Sequence, residues 1–200
     1  MAILIIRHGE TVDNVGRVFQ TPDSPLSSDG ELQAALLAER MKGFNVSSIV
    51  CSDYYRTQQT ASYVANTLSL EPSLSPLLRE RNFGDLRGQS HSSIEGDPFA
   101  MDYQPKNGES WLVFCQRVVK TWQQILEIEN TLDGDLAVIT HGFVCRAIVE
   151  NHAHLIDGAE LPSHWGNTSI TKINSSNYNI ELLNSTEHLT GKLQSKGGAV

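Results

Sequence analysis

No stretch of this 200-residue chain is long and apolar enough to cross a bilayer, which excludes a membrane span as its organising element. The opening residues carry no basic region and their apolar run is short, so no signal peptide is expected there. Cysteine is scarce. Cys51, Cys115 and Cys145 are odd in number and sit in apolar periodic segments, which favours buried reduced thiols over a disulfide framework. Positive charge is in short supply as well: 15 Lys and Arg stand against 23 Asp and Glu, for a net charge of −8 and a pI near 5.3. That balance argues against general affinity for nucleic acid or an anionic membrane. It does not exclude an anionic small molecule, because a few arginines can make a local positive pocket. There is no internal repeat and no low-complexity linker, and 40% hydrophobic content suits one soluble globular domain, expected to be cytoplasmic. No metal site is expected either. His152 and His154 are two apart, a spacing that points them to different faces of a helix, and no Cys or carboxylate has matching spacing. They read as surface or capping residues, and His91, His164 and His188 fall in polar loops.

What is present is an alternation of short apolar runs and helical patterns. Ala2–Ile6 reads as a strand buried on both faces. Residues Gln20–Pro25 form a loop. Ser28-Asp29-Gly30-Glu31 has capping-box spacing ahead of a helix whose inner side is marked by Leu32, Ala35, Leu36 and Met41. Ser48–Cys51 is a second buried strand. From Asp53 a helix runs with Thr57, Thr60, Ala61, Val64, Ala65 and Leu68 inward. A Gly- and Ser-rich stretch reaches Gly108. Glu109–Asn130 is a long helix with a stripe of Val113, Val118, Val119, Trp122, Ile125 and Leu126. Leu136–Thr140 is a third buried strand, Phe143–His154 the helix after it, and Ser169–Ile173 with Tyr178–Leu183 a pair of edge strands. This order predicts an α/β sheet covered by helices, one domain over residues 1–184, and a loosely ordered polar tail over 185–200.

In open α/β sheets, ligands collect where strands end and helices begin. His8, Ser52 and His141 each follow a predicted buried strand, so three distant tips can meet at one sheet edge, bringing Arg7 and Arg56 with them. These residue types suit phosphoryl transfer, which needs a nucleophile, cations for the equatorial oxygens and an acid for the leaving oxygen. A neutral imidazole at His8 can be the nucleophile, with Gly9 leaving room for close approach. Arg7 and Arg56 can fork onto the oxygens without deprotonating, and His141 can donate a further hydrogen bond. Glu80 is the leading carboxyl for the leaving oxygen.

These residues carry a family resemblance. Arg7-His8-Gly9-Glu10-Thr11 with Asn14 resembles the signature of the histidine phosphatase superfamily, also called the phosphoglycerate mutase-like family. Ser52 and Arg56 within Ser52–Ala61 resemble its second motif, and Leu78–Gly84 the segment bearing its acid/base glutamate. Gly108-Glu109-Ser110 resembles the opening of its long helix, Thr140-His141-Gly142 the motif with its second histidine, and Asn167-Thr168-Ser169 a smaller element before a late strand. The resemblance implies a three-layer α/β sandwich with a mainly parallel central sheet and helices on both faces. It implies a phosphohistidine on His8, with Arg7, Arg56 and His141 around the phosphoryl group and Glu80 as proton donor. Asn14, Gln20 and Thr21, with Gly142, would be further phosphate or substrate contacts. It implies no metal and no organic cofactor. One departure stands out: many members have a glycine after the residue matching Gln20, whereas this chain has Thr21-Pro22.

The expected activity is hydrolysis of a small-molecule phosphomonoester, with residues of about 84–107 choosing the substrate. Arg87 and His91 are within that stretch and able to reach it. The stretch is not strongly basic, which favours a single phosphate on the substrate. It is compact and lacks the adjacent arginine pair with which mutases of the family hold a carboxylate. A phosphoglycerate mutase, a phosphoprotein phosphatase and a catalytically idle phosphate-binding module are the competing readings. The expected partner is a phosphorylated small molecule, with neither nucleic acid nor membrane, and a homodimer is left open.

Overall fold

A computed structural model describes residues 1–156 and 159–193. Its centre is a six-stranded sheet built from β1 (Ala2–Arg7), β2 (Val46–Cys51), β3 (Pro72–Leu74), β4 (Asp135–Thr140), β5 (Ile170–Asn174) and β6 (Ile180–Ser185), in the order β3-β2-β4-β1-β5-β6. The β1–β4, β2–β4 and β2–β3 pairings are parallel, while β5 and β6 join antiparallel at one end. Of the two late strands only β6 lies at an edge; β5 is held between β1 and β6. The other edge is β3, a three-residue strand too short and proline-led to be read from periodicity.

Around the sheet lie α1 (Val12–Gly16), α2 (Ser28–Met41), α3 (Tyr55–Leu68), α4 (Trp111–Glu129) and α5 (Gly142–His152). Alternate residues of each buried strand point to opposite faces. Ile3, Ile5, Leu136 and Val138 join a core with Phe114, Val118 and Ile125 of α4 and with Val144 and Ile148 of α5. Leu4, Ile6, Ala137 and Ile139 join a second core with Leu37 and Met41 of α2 and with Ala61 and Val64 of α3. Three layers follow, because each central strand must bury both faces. Among the described residues no helix is long and apolar enough to cross a membrane.

Helix phases depart from the sequence reading where apolar residues crowd both sides. In α2 the buried residues are Gly30, Gln33, Ala34, Leu37, Ala38 and Met41, while Leu32 is half exposed; the helix is capped by Ser27, whose hydroxyl accepts from the Gly30 amide. In α4, Val113 and Val119 face outward and Phe114 and Thr121 inward. Cys51 and Cys145 are buried, Cys115 is partly exposed, and all three are free. His152, at the end of α5, stacks on Trp122 with ring centroids 5.4 Å apart.

The tail differs from expectation over its first part. Arg40 of α2 donates to the Ser185 carbonyl and hydroxyl, to Glu187 and to His188 Nδ1, and Leu189 is buried. Gln33 Nε2 reaches the Leu193 carbonyl at 3.1 Å. Residues 194–200, the remainder of the expected loose tail, lie outside the described residues.

The phase of α2 is testable. Leu37→Ala should cost about 2–5 kcal/mol in urea unfolding, as for a buried leucine, and Leu36→Ala, at 36% exposure, under about 1 kcal/mol. Equal losses would refute the assigned phase.

Candidate active site

Parallel pairing levels the strand ends. Arg7 lies opposite Thr140 and Cys51 opposite Ile139, so the next residues, His8, His141 and Ser52, emerge side by side. The ladder continues one bond beyond the strands: His8 N–H donates to the Thr140 carbonyl and Ser52 N–H to the Ile139 carbonyl, each at 3.0 Å. The rings of His8 and His141 then meet edge-on, with centroids 5.2 Å apart.

The protonation of His8 follows from its neighbours. Arg56 Nε–H can only donate, and it lies 3.2 Å from His8 Nε2, so Nε2 carries the lone pair. The proton therefore sits on Nδ1, which donates to the Gly9 carbonyl at 2.7 Å. Burial, then Arg56 and Arg7, hold this imidazole well below its ordinary pKa of 6.5. His8 is thus a neutral base with its lone pair beside a guanidinium. Gly9 has a different reason from the one expected: a Cβ there would come within 2.7 Å of the Gly30 carbonyl, so the glycine admits the start of α2. Its amide donates to Thr60 Oγ1 of α3. Glu10 accepts from the Ser27 hydroxyl and orders the same junction.

Both arginines are buried. Arg7 donates through Nη1 to the Trp165 carbonyl, and its Nε has no partner among the described residues. Arg56 reaches the Thr21 carbonyl through Nη1 at 3.0 Å, and burial lowers its pKa to about 10. His141 pairs through Nε2 with Ser52 Oγ at 2.9 Å; burial, then Arg56 and His8, hold it well below 6.5, so it too is neutral. Glu80 accepts from the amides of Arg81 and Phe143, at 2.9 and 3.3 Å. Burial raises its carboxyl above the usual range, against the opposing pull of those amides, Arg56 and Arg7. The backbone carrying it is clamped by Arg117, which donates to the carbonyls of Leu77, Arg79 and Glu80 while paired with Glu109.

Four of these groups meet at one pocket of about 540 Å³, open water at its mouth included, while His141, fully buried against Ser52 and the His8 ring, does not line it. Arg7, His8, Arg56 and Glu80 line it, as do Asn14 and Gln20. Asn14 closes a capping box with Thr11 at the start of α1, and Gln20 Oε1 is buried with no partner among the described residues. Thr21 is placed differently from expectation: its amide is taken by Ser24 Oγ at 2.8 Å and its carbonyl holds Arg56, so it acts on the cation and does not line the pocket. Gly142 is likewise set back in the first turn of α5, with Phe143 forming the lining there. Arg87 and His91 do reach the pocket from the 84–107 segment.

Sequence reasoning missed several supports. Asn167 Nδ2 donates to the His8 carbonyl, and Thr168 Oγ1 meets His188 Nε2 at 3.0 Å. His188, far from an uninformative loop residue, is partly buried and held neutral, its pKa lowered to about 4 by burial and Arg40. Phe19 and Phe83 line the pocket with Phe143; the only signal was their position within or beside the motifs. Among the described residues no group of three His, Cys, Asp or Glu is disposed to hold a metal ion.

A mainly parallel α/β sheet whose central strand tips set two histidines between buried guanidiniums and a recessed carboxyl is a site suited to a phosphate ester. The chain belongs to the histidine phosphatase superfamily (branch 1), whose family model matches residues 3–187. It is 29% identical to a protein of Yersinia enterocolitica named as the probable phosphoglycerate mutase GpmB, over 94% of this chain and 95% of that one. It is 30% identical to a protein of Schizosaccharomyces pombe named as a probable phosphatase, over 100% of this chain and 94% of that one. The solved structure of Bacillus stearothermophilus YhfR superposes with a TM-score of 0.78 at 27% identity, covering 94% of this chain and 98% of that one. Members of the family are enzymes named for both phosphatase and mutase activity, and this chain is one of them.

The neutral histidines give a pH signature. Below about pH 6.5 the unfolded chain binds protons at His8 and His141 that the folded chain refuses, so stability falls with pH by up to about 1.4 kcal/mol per unit for each. Glu80 acts oppositely, since its raised carboxyl takes a proton in the folded state first. Urea unfolding at about pH 7 and about pH 5.5 should show a smaller loss in His8→Asn than in wild type. Equal losses would mean that His8 is charged in the folded protein.

Proposed function

We propose that this protein is a metal-independent phosphomonoesterase that works through a phosphohistidine on His8. The observation that carries the reading is the His8 tautomer: the Gly9 carbonyl holds the proton on Nδ1, and the Nε2 lone pair accepts from Arg56, the same cation that an incoming phosphate oxygen would draw onto itself. In the first step Nε2 attacks phosphorus while the bond to the ester oxygen breaks, and Glu80 delivers its proton to that oxygen. In the second, water attacks the phosphohistidine, Glu80 takes the proton from the water, and phosphate departs from a neutral His8. Arg7, Arg56 and His141 hold the non-bridging oxygens, whose negative charge also favours protonation of His141. The raised pKa of Glu80 supports its role, because an acid must hold its proton near neutral pH.

Hydrolysis is favoured over a mutase reaction by the state of the other cations in the pocket. Arg81 donates to the carbonyls of Glu109, Ala100 and Tyr103, and Arg87 to the Tyr54 hydroxyl. Neither forms an open pair of guanidiniums for a carboxylate.

Phosphate release from a panel of phosphomonoesters, with 3-phosphoglycerate isomerisation assayed alongside, tests this reading. His8→Ala should lower release by at least about a thousandfold, the scale of losing a nucleophile. Release that survives the substitution, or isomerisation without net release, would refute it. Glu80→Gln should slow alkyl phosphates by about a hundredfold or more and p-nitrophenyl phosphate far less, since nitrophenolate leaves with little need of a proton. Equal slowing would remove Glu80 from its role.

A further inference from the structure

If Glu80 protonates the leaving oxygen, the leaving group lies on the Glu80 side of the pocket, and that side is built of rings. Phe143 donates its amide to the Glu80 carboxyl, and Phe83 follows Glu80 by three residues. The two rings pack on each other, Phe83 also packs on Phe19, and Phe99 comes down on all three from the 84–107 segment. Centroid distances are 5.0 Å for Phe19–Phe83, 5.4 Å for Phe19–Phe99 at an interplanar angle of 26°, and 6.2 Å for Phe99–Phe143 at 28°. His91 completes the wall, 4.6 Å from Phe19. All five rings line the same pocket as His8, and Phe99 and His91 remain partly exposed.

The segment is pinned in this place. Residues 17–19 pair with it: Phe19 N–H donates to the Gln89 carbonyl, Gly88 N–H to the Phe19 carbonyl and His91 N–H to the Arg17 carbonyl. Arg81 ties its far end through Ala100 and Tyr103. Burial and Arg17 keep His91 below its ordinary pKa, so the wall stays uncharged near neutral pH. A surface of ring faces with its nearby cations engaged offers a ligand area for stacking and little to replace the water around hydroxyls or a carboxylate.

We propose that the leaving-group half of this pocket is an aromatic slot for phosphomonoesters of flat apolar alcohols, aryl or arylalkyl phosphates, and that Phe99 is the residue that selects them. The proposal rests on the phosphomonoesterase reading for its orientation. Phe99 is the sensitive position because it belongs to the segment over the site and touches none of the groups assigned to the chemistry.

The comparison must hold the leaving oxygen constant. 2-Phenylethyl phosphate and propyl phosphate both release an alkoxide that needs protonation. Their kcat/KM values should differ by about tenfold or more in favour of the phenyl ester, the scale of one stacked ring with its buried area. Calorimetric Kd values for 2-phenylethylphosphonate and propylphosphonate, which have no P–O–C bond to cleave, should show the same order. Phe99→Ala should remove most of the phenyl preference, lowering kcat/KM for the phenyl ester about fivefold or more beyond any loss on propyl phosphate, with Phe99→Leu intermediate. Equal wild-type Kd values for the two phosphonates, or a preference unchanged in both variants, would overturn the slot. A phosphonate preference in a protein that releases phosphate from no ester would leave the slot standing and overturn the phosphatase reading instead.

Discussion

Two guanidinium groups, Arg7 and Arg56, are buried against a neutral histidine, with the recessed Glu80 carboxyl as a nearby acidic group. Buried charge is costly unless it is paired or hydrogen-bonded, and here backbone carbonyls of Trp165 and Thr21 do part of that work. The rest of the positive potential is left facing the pocket. Burial first, and then this potential, keeps His8 and His141 unprotonated, and so leaves a lone pair on His8 Nε2. The potential is also the field into which a phosphate would fit, with both histidines free to respond to the charge that arrives.

That arrangement depends on strand register more than on any local feature. A slip of one residue in the β1–β4 pairing would turn His8 or His141 to the opposite face of the sheet and separate the two rings. Register is held by double burial: Ile3 and Ile5 belong to one core, Leu4 and Ile6 to the other, and a slipped strand would have to exchange them. The loop carrying Glu80 has no such ladder. It is fixed instead by Arg117, whose guanidinium gathers three backbone carbonyls between residues 77 and 80 and is itself neutralised by Glu109. The resemblance of Gly108-Glu109-Ser110 to a family motif thus acquires a physical reason, since Glu109 holds the clamp that holds the acid.

Segment 84–107 is connected in another way. Gly84, at φ 54°, lies against the backbone of 106–108, and the two ends of the segment are bridged there by the bond from Asp85 N–H to the Lys106 carbonyl. Between these ends the chain is held mainly by residues 17–19 and by ring packing on Phe19 and Phe83. The chemistry and the substrate surface are therefore supported by different parts of the fold: parallel strands for one, and an aromatic cluster between two loops for the other.

Much of this is legible in the sequence because it is local. Short, doubly buried strands announce themselves as apolar runs, and a residue placed directly after one is at the sheet edge, so Arg7, His8, Ser52 and His141 can be grouped from their positions in the chain alone. The order of strands and helices carries the layer architecture for the same reason. What eludes the sequence depends on contacts between distant segments. The phases of α2 and α4 are set by which side meets the sheet, and apolar residues on both sides conceal it. Thr21 turns from a ligand contact into a support because Ser24 claims its amide and Arg56 its carbonyl. The tail over 185–193 packs because Arg40, 145 residues before Ser185, supplies its partner. The tautomer of His8 and the ring wall beside Glu80 likewise belong to the tertiary structure alone. The sequence by itself determined which chemical groups are available and at which strand ends they stand. Their protonation, their spacing and the surface facing them were decided by burial, because burial depends on every neighbour that folding brings in.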